Sequence, residues 1–202
     1  MKSVLISIQP KWCKRIANGS KTIEVRKTKP KLETPFKVYI YCTKQKVNGE
    51  ILLTHDKKVE GRNRGFRDTG DIPLAGKVIG EFVCDYFYDM CQFGFGIAIY
   101  NKDKILVEPQ DLLDWSCLTE NQLLDYIGNK DGYCWHISNL VIYDKPRELS
   151  EFITPTTCKS GIAKEMLCNT CCLSANFCSK KPKRITRPPQ SWCYVESEVD
   201  AK

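Results

Sequence analysis

The sequence predicts an α+β protein, with a curved sheet or small β-barrel, flanking helices and a small cysteine-rich module at the C-terminal end. Strand-like runs outnumber helix-like runs in the 202 residues, and no regular strand–helix alternation runs through the chain. Its apolar runs stay below the roughly 18 residues of a membrane span, and the opening MKSVLISIQPKW is too short for a secretory signal. We therefore expect a cytoplasmic protein without a membrane partner.

The N-terminal elements follow from short periodic runs. Residues 3–8, SVLISI, predict a first strand. Pro10 opens a helix, because a proline in the first turn removes no donor that the helix needs, and Gly19 supplies its C-terminal stop. Strands are predicted at 22–27 and 36–43. The polar, basic stretch 55–70 is then predicted to be a long loop, and such loops in compact domains are functional or disordered.

The second half of the chain carries further strand and helix signals. The longest strand signal covers 77–88, with a bulge expected at Gly80. Residues 109–128 have helical patterns, with a start near Pro109 and a capping sequence at Thr119. A strand at 133–143 precedes a short helix within 145–152. The stretch RPPQSWCYV predicts a final strand at 187–195.

The net charge of +7 suits a polyanionic partner without requiring one. The excess is local, and two loops hold much of it. Each loop has two possible interpretations: its charges are solvated, or they contact phosphates. The two groups are Lys57, Lys58, Arg62, Arg64 and Arg67, and Lys180, Lys181, Lys183, Arg184 and Arg187.

The strand at 22–27 follows a glycine turn and alternates apolar with charged residues. Because successive side chains of a strand point to opposite faces, Ile23 and Val25 should face a core. Thr22, Glu24 and Arg26 should then line the other face, with Lys21 at its mouth. The plainest interpretation is a solvated face with a weak surface ion pair.

The same residues resemble the G-x-K-x-x-E-x-R signature of the ASCH domain, which belongs to the PUA-like superfamily. The matching run is Pro10-Lys11-Trp12, then Ile16, then residues 19–26, GSKTIEVR. The stretches GKVIGEFVCDYF at 76–87 and WHISNLVIYDKPRELSEF at 135–152 also resemble the family. The resemblance covers residues 1–152 and leaves 153–202 as a cysteine-rich, zinc-binding segment. This combination is similar to ASCH proteins of phages and prophages, so the protein would act in a bacterium or in a phage's host cell.

The resemblance implies a PUA-like β-barrel with a cleft beside the motif. PUA-like domains commonly bind RNA, and some relatives bind a modified base. One small ASCH enzyme, an acetylcytidine amidohydrolase, uses a lysine, a threonine and a glutamate. On this chain the lysine falls on Lys21 and the glutamate on Glu81. The threonine falls on Glu24, where the chain departs from that enzyme.

These residues support either binding or catalysis. Nearby carboxylates keep a lysine charged, so Glu24 and Glu81 would oppose the use of Lys21 as a base or nucleophile. We therefore expect binding of nucleic acid, RNA rather than DNA, or of a modified nucleotide. The alternatives are a hydrolase of modified nucleosides or a nuclease, with Lys21, Glu24 and Glu81 as catalytic candidates, and a phage protein-interaction module. The predicted binding residues are Trp12, Lys21, Thr22, Glu24, Arg26, Arg62, Arg64 and Arg67.

Six of the twelve cysteines crowd the last quarter of the chain, in the pattern Cys168-x-x-Cys171-Cys172 followed by Cys178. Clustered cysteines in a reducing compartment favour metal over disulfides. The two histidines, His55 and His136, are distant, so a structural zinc site of cysteines alone is predicted. Its ligands would be Cys168, Cys171 and Cys178, with Cys158 as the fourth and Cys172 or Cys193 as alternatives. An Fe–S cluster and free thiols in a frayed tail are the other interpretations. The single cysteines, such as Cys84, are predicted to be buried thiols.

Overall fold

The computed structural model describes residues 2–44, 74–93, 96–101, 103–128, 130–155 and 182–197, and the short strand pairs within 46–67. These residues form an α+β fold in which two curved sheets make a mixed half-barrel with three helices. The charged loop around Arg62 and Arg64 and the cysteine cluster 158–178 lie outside the described residues. No helix among the described residues is both long and apolar enough to cross a bilayer.

The larger sheet contains six of the described strands: β1 Ser3–Ile8, β3 Phe36–Cys42, β8 Val78–Cys84, β13 Ser138–Arg147, β14 Phe152–Ile153 and β15 Trp192–Ser197. Their order in the sheet is β13-β8-β3-β1-β15-β14. Strands β1 and β3 are parallel, and their other neighbours pair antiparallel. Because β15 pairs with β1, strands that are far apart in the sequence lie side by side in this sheet.

The smaller sheet contains five of the described strands: β2 Ile23–Arg26, β9 Phe87–Phe93, β10 Gly96–Tyr100, β11 Leu106–Val107 and β12 Gly132–His136. They are antiparallel and lie in the order β11-β10-β9-β12-β2. Strand β2, which carries the charged motif, lies at the edge of this sheet. Two further pairs stand apart, β4 Lys46–Val47 with β5 Glu50–Ile51, and β6 Thr54–His55 with β7 Phe66–Arg67.

The three α-helices follow their sequence signals. Helix α1, Pro10–Ala17, begins at its proline and buries Pro10, Cys13 and Ile16 at helical spacing. Gly19, just beyond its end, has a φ of +79°, which glycine adopts without strain. The other helices are α2 Pro109–Ser116, α3 Glu120–Ile127, and a short 3-10 turn at Leu149–Glu151.

Two strands that the sequence predicts as continuous are each divided in two. The predicted strand 77–88 becomes β8 and the start of β9, and the predicted strand 133–143 becomes β12 and the start of β13. In both places the chain crosses from one sheet to the other. The backbone amide of His136 donates to Tyr86 O at 3.2 Å, and that of Ile137 donates to Thr22 O at 2.9 Å. The sequence gives no sign of such a crossing, because the residues before it and the residues after it are both buried and therefore form one apolar run.

Both faces are buried at the strands β1 and β3 of the larger sheet. Val4, Ile6 and Val38 face the main core, whereas Leu5 and Tyr39 face a second cluster with Phe152. A third cluster lies under the smaller sheet and the helices α2 and α3. The end of β1 meets the motif strand β2, where Arg26 Nη2 donates to Ser7 O.

Candidate functional site

A cleft of about 830 Å³ lies beside the charged motif. Its walls come from four parts of the chain: the end of β1, the helix α1, the helix α3 and the segment 188–191. The motif strand β2 contributes Glu24, Val25 and Arg26, and Lys21 lies just before it. More than half of the lining residues thus belong to helices and strands, and the others belong to the segments that connect them.

Lys21, Glu24 and Arg26 form a buried charged group, with only 3%, 6% and 7% of each residue exposed. Lys21 Nζ lies 3.2 Å from Glu24 Oε2, and Arg26 Nη2 lies 2.9 Å from Glu24 Oε1. One carboxylate thus bridges two cations. The expected surface pair is instead a buried network, which costs desolvation and needs complete hydrogen bonding.

The ammonium group of Lys21 has an acceptor for each of its three protons. Besides Glu24, it donates to Ile23 O and to Ser116 O, both at 2.8 Å. The ring of Trp12 also lies near, with its centroid 5.4 Å from Nζ. These contacts fix the position of the ammonium group.

Both terminal nitrogens of Arg26 have partners. Nη2 donates to Ser7 O at 2.7 Å as well as to Glu24, and Nη1 donates to Ser191 Oγ at 3.4 Å. The buried Nε has no hydrogen-bond partner among the described residues. The guanidinium is therefore held from β1, from Glu24 and from the segment before β15.

Two aromatic side chains line the cleft, Trp12 from α1 and Tyr126 from α3. Trp12 packs partly against the main core, and its ring centroid lies 4.5 Å from Lys11 Nζ. Tyr126 is 39% exposed, but loss of water around its hydroxyl raises the pKa of Tyr126, and Arg26 opposes this rise. A cation also lies near the Tyr126 ring, with Lys27 Nζ 5.4 Å from its centroid, so a base that stacked on either ring would meet a cation there.

The structure brings together Trp12, Lys21, Glu24 and Arg26, but it does not bring Glu81 to them. Glu81 is opposite Tyr39 in the larger sheet, so its side chain lies on the face of the second cluster. There Lys37 Nζ is 3.1 Å from Glu81 Oε1, and the Tyr143 hydroxyl donates to Oε2 at 2.5 Å. The expected convergence of Glu81 with Lys21 is wrong, because strand alternation turns this carboxylate to the other face.

Thr22 also lies outside the cleft lining. Its amide donates to Trp115 O at 2.9 Å and its carbonyl accepts from Ile137, so its backbone joins the motif to α2 and to the residue between β12 and β13. The side chains of Arg62, Arg64 and Arg67 lie outside the described part of the chain, and only the backbone of Arg67 is placed, in β7.

The predicted zinc ligands Cys158, Cys168, Cys171 and Cys178 lie outside the described residues, as does Cys172. Within the described residues, no group of three or more His, Cys, Asp and Glu could hold a metal ion. Cys193 is described: it is opposite Leu5 in β15 and packs against the second cluster.

The sequence motif does not predict two parts of the cleft. The helix α3 contributes Gln122, Asp125 and Tyr126, and the segment before β15 contributes Gln190 and Ser191. The spacing of Gln122, Asp125 and Tyr126 puts them on one face of a helix, and this is the available signal. This spacing does not indicate which part of the protein the helix face lies against.

No family model matches the chain, and no curated protein matches it. Among solved structures, the crystal structure of ASCH from Zymomonas mobilis is similar, with a TM-score of 0.50 and 17% sequence identity. The alignment covers 98% of this chain and 91% of that chain. Structures of two mutants of the Zymomonas protein align with TM-scores of 0.49 and 0.48, each at 17% identity. They cover 100% and 98% of this chain, and 95% and 92% of theirs. The fold is therefore an ASCH fold, which confirms the fold that the motif predicts.

Proposed function

We propose that this protein binds single-stranded RNA and holds one base or nucleotide, including a modified one, in the cleft beside Lys21, Glu24 and Arg26. RNA binding is what the resemblance to PUA-like domains implies, and the cleft supplies the local chemistry. The observation that carries the proposal is the cleft of about 830 Å³, which has the charged group Lys21, Glu24 and Arg26 beside the rings of two aromatic side chains.

Arg26 lines the cleft, and Glu24 and Ser7 hold its guanidinium in place. A phosphate oxygen or a base carbonyl in the cleft would accept from this guanidinium, and such charge-assisted bonds are the stronger ones. The ligand would thus bind a cation that the protein has already positioned.

The size and charge of the cleft agree with such a ligand. Its 830 Å³ lies within the range of about 300–1,000 Å³ found for small-molecule sites. Three cations, Lys11, Lys21 and Arg26, line it against two carboxylates, Glu24 and Asp125, which gives a net charge of +1. That balance suits a base with one phosphate, and Trp12 offers the ring on which the base stacks.

Hydrolysis of a modified nucleoside is the second candidate. Lys21 and Glu24 are in contact within a cleft large enough for one nucleoside, which favours this activity. Against it, Lys21 would have to give up a proton while bound to a carboxylate and two carbonyls. Nuclease activity faces the same difficulty. Protein binding is the third candidate. It is supported by two apolar residues that are neighbours in the sequence, Ile105 and Leu106, because they are 61% and 60% exposed.

The test is titration of a labelled single-stranded RNA and of a panel of nucleosides and nucleotides, with product analysis in the same samples. We expect binding to RNA at low salt without cleavage or deacetylation. Arg26→Gln and Trp12→Leu should each weaken binding, whereas Arg147→Gln removes an arginine ion pair outside the cleft and should not. Circular dichroism would verify that the variants fold. If none of the RNAs, nucleosides and nucleotides binds at low salt, the proposal is wrong.

A further inference from the structure

A second cavity of about 400 Å³ adjoins the cleft and shares two of its residues, Thr43 and Pro188. The cleft lies on the Lys21 side of these residues, and the second cavity lies on the side of Lys44, Gly76 and Thr186. The two cavities are therefore adjoining spaces along one surface.

The rim between the two cavities is rigid. The amide of Thr43 donates to Ile8 O at 2.9 Å, which fixes the end of β3 against the end of β1. On the other side, Ser7 Oγ donates to Pro189 O at 2.7 Å, and the two consecutive prolines have restricted backbones. A ligand that passes over this rim meets a preformed path, so binding costs little ordering of the protein.

The second cavity has a different chemistry from the cleft. Among the described residues that line it there is no carboxylate, and the polar side chains are Lys44 and the hydroxyls of Tyr41, Thr43 and Thr186. Arg187, which follows Thr186 in the chain, is exposed. A lysine with hydroxyl groups and no opposing acid is the kind of surroundings that a backbone phosphate finds in nucleic-acid complexes.

The side chain of Lys44 passes close to Gly76 at this cavity. A Cβ on Gly76 would lie 2.4 Å from Lys44 Cε. Gly76 also has a φ of +89°, which favours glycine at this position. Lys44 is exposed and has no salt bridge with the described residues.

We propose that the second cavity is a subsite for the nucleotide next to the one in the cleft, with Lys44 on the connecting phosphate. The ligand would then be an oligonucleotide strand and not a free nucleoside. This inference rests on the proposed function, since it takes the cleft as the first nucleotide site.

The experiment compares cytidine monophosphate with a single-stranded RNA of about eight nucleotides, using the wild-type chain, Lys44→Glu and Lys145→Glu. Lys145 is exposed and lines neither cavity, so it controls for the change in net charge. We expect the RNA to bind more tightly than the mononucleotide. Lys44→Glu should weaken RNA binding about tenfold at low salt and reduce the salt slope by about one. It should leave mononucleotide binding unchanged.

The outcomes separate the subsite from the proposed function. If the mononucleotide binds but the RNA gains nothing over it, or if both lysine variants weaken RNA binding equally, the subsite is wrong and the cleft remains. If neither ligand binds the wild-type chain at low salt, the proposed function fails, and the subsite fails with it.

Discussion

Glu24 Oε1 lies 2.9 Å from Arg26 Nη2, on a strand where both residues are more than nine-tenths buried. Alternation in a strand puts residues i and i+2 on the same face, so this contact follows from the motif itself. Since Lys21 bonds the other oxygen of Glu24, the carboxylate neutralises two buried cations at the floor of the cleft.

We expect Glu24→Gln to lower the free energy of unfolding by about 3–5 kcal/mol, because it leaves two buried cations without their counter-charge. Urea unfolding followed by circular dichroism measures this. The matched control is Glu81→Gln: Glu81 has a partly exposed ion pair with Lys37 and a bond from Tyr143, so its loss should cost about 1–2 kcal/mol. It should also leave binding in the cleft intact. Equal costs for the two variants would mean that the network at Glu24 does not stabilise the fold.

The basic loop at 57–67 should add salt-dependent affinity for RNA. If Arg62, Arg64 and Arg67 contact phosphates, replacing all three with alanine should flatten the dependence of log affinity on log salt by up to about two. Fluorescence anisotropy over a salt series measures the slope. Replacing Lys104, Lys130 and Lys145, which do not line the cleft, removes the same charge and should change the slope less. Identical salt slopes for the two triple variants would mean that the loop arginines do not contact phosphates and are simply solvated.

Folded protein should contain about one zinc ion per chain, because thiolate ligation can order a cysteine-rich segment that has few aliphatic residues. Elemental analysis measures the metal. Cys168→Ser and Cys178→Ser should each lose it and increase proteolysis within 158–193, while the ASCH fold stays intact. Cys84→Ser is the control: Cys84 is fully buried in the main core, so the metal should remain. Metal-free protein that resists proteolysis within this segment would show that packing or a disulfide orders it.

The fold should lose stability in alkali. Burial raises the pKa of the Cys134 thiol from 9.0 to about 12, with Lys21 opposing this rise. Between these values the unfolded chain releases the proton while the folded chain keeps it, so stability that is complete below pH 9 falls as the pH rises. The slope for this thiol should reach about 1.4 kcal/mol per pH unit. Cys193, whose pKa burial raises to about 11, should add to it.

Unfolding measured from about pH 8 to about pH 12 checks this linkage, because this range includes the pKa values of the Cys134 thiol in the unfolded and the folded chain. Cys134→Ala should reduce the slope. Met90→Ala removes a non-titrating side chain from the same apolar cluster, so it should lower stability at every pH and keep the slope. A wild-type protein whose stability stays constant over this range would contradict the prediction.

The sequence by itself determined the local elements and the identity of the charged group. SVLISI, Pro10, Gly19 and the Thr119 cap set β1, α1 and the start of α3, because propensity and capping act within a few residues. The period of two in β2 likewise puts Glu24 and Arg26 side by side. These interactions are short in sequence, so a pattern is enough to predict them.

The tertiary structure decided how those elements combine, because burial and strand pairing join residues that are distant in the chain. It turned Glu81 to the opposite face of the larger sheet, and it divided two apolar runs where the chain changes sheets. It brought α3 and the segment 188–191 to the cleft, and it placed Thr43 and Pro188 between two cavities. Whether Lys21 and Glu24 form a solvated pair or a buried network depends on what covers them, and only packing supplies that cover.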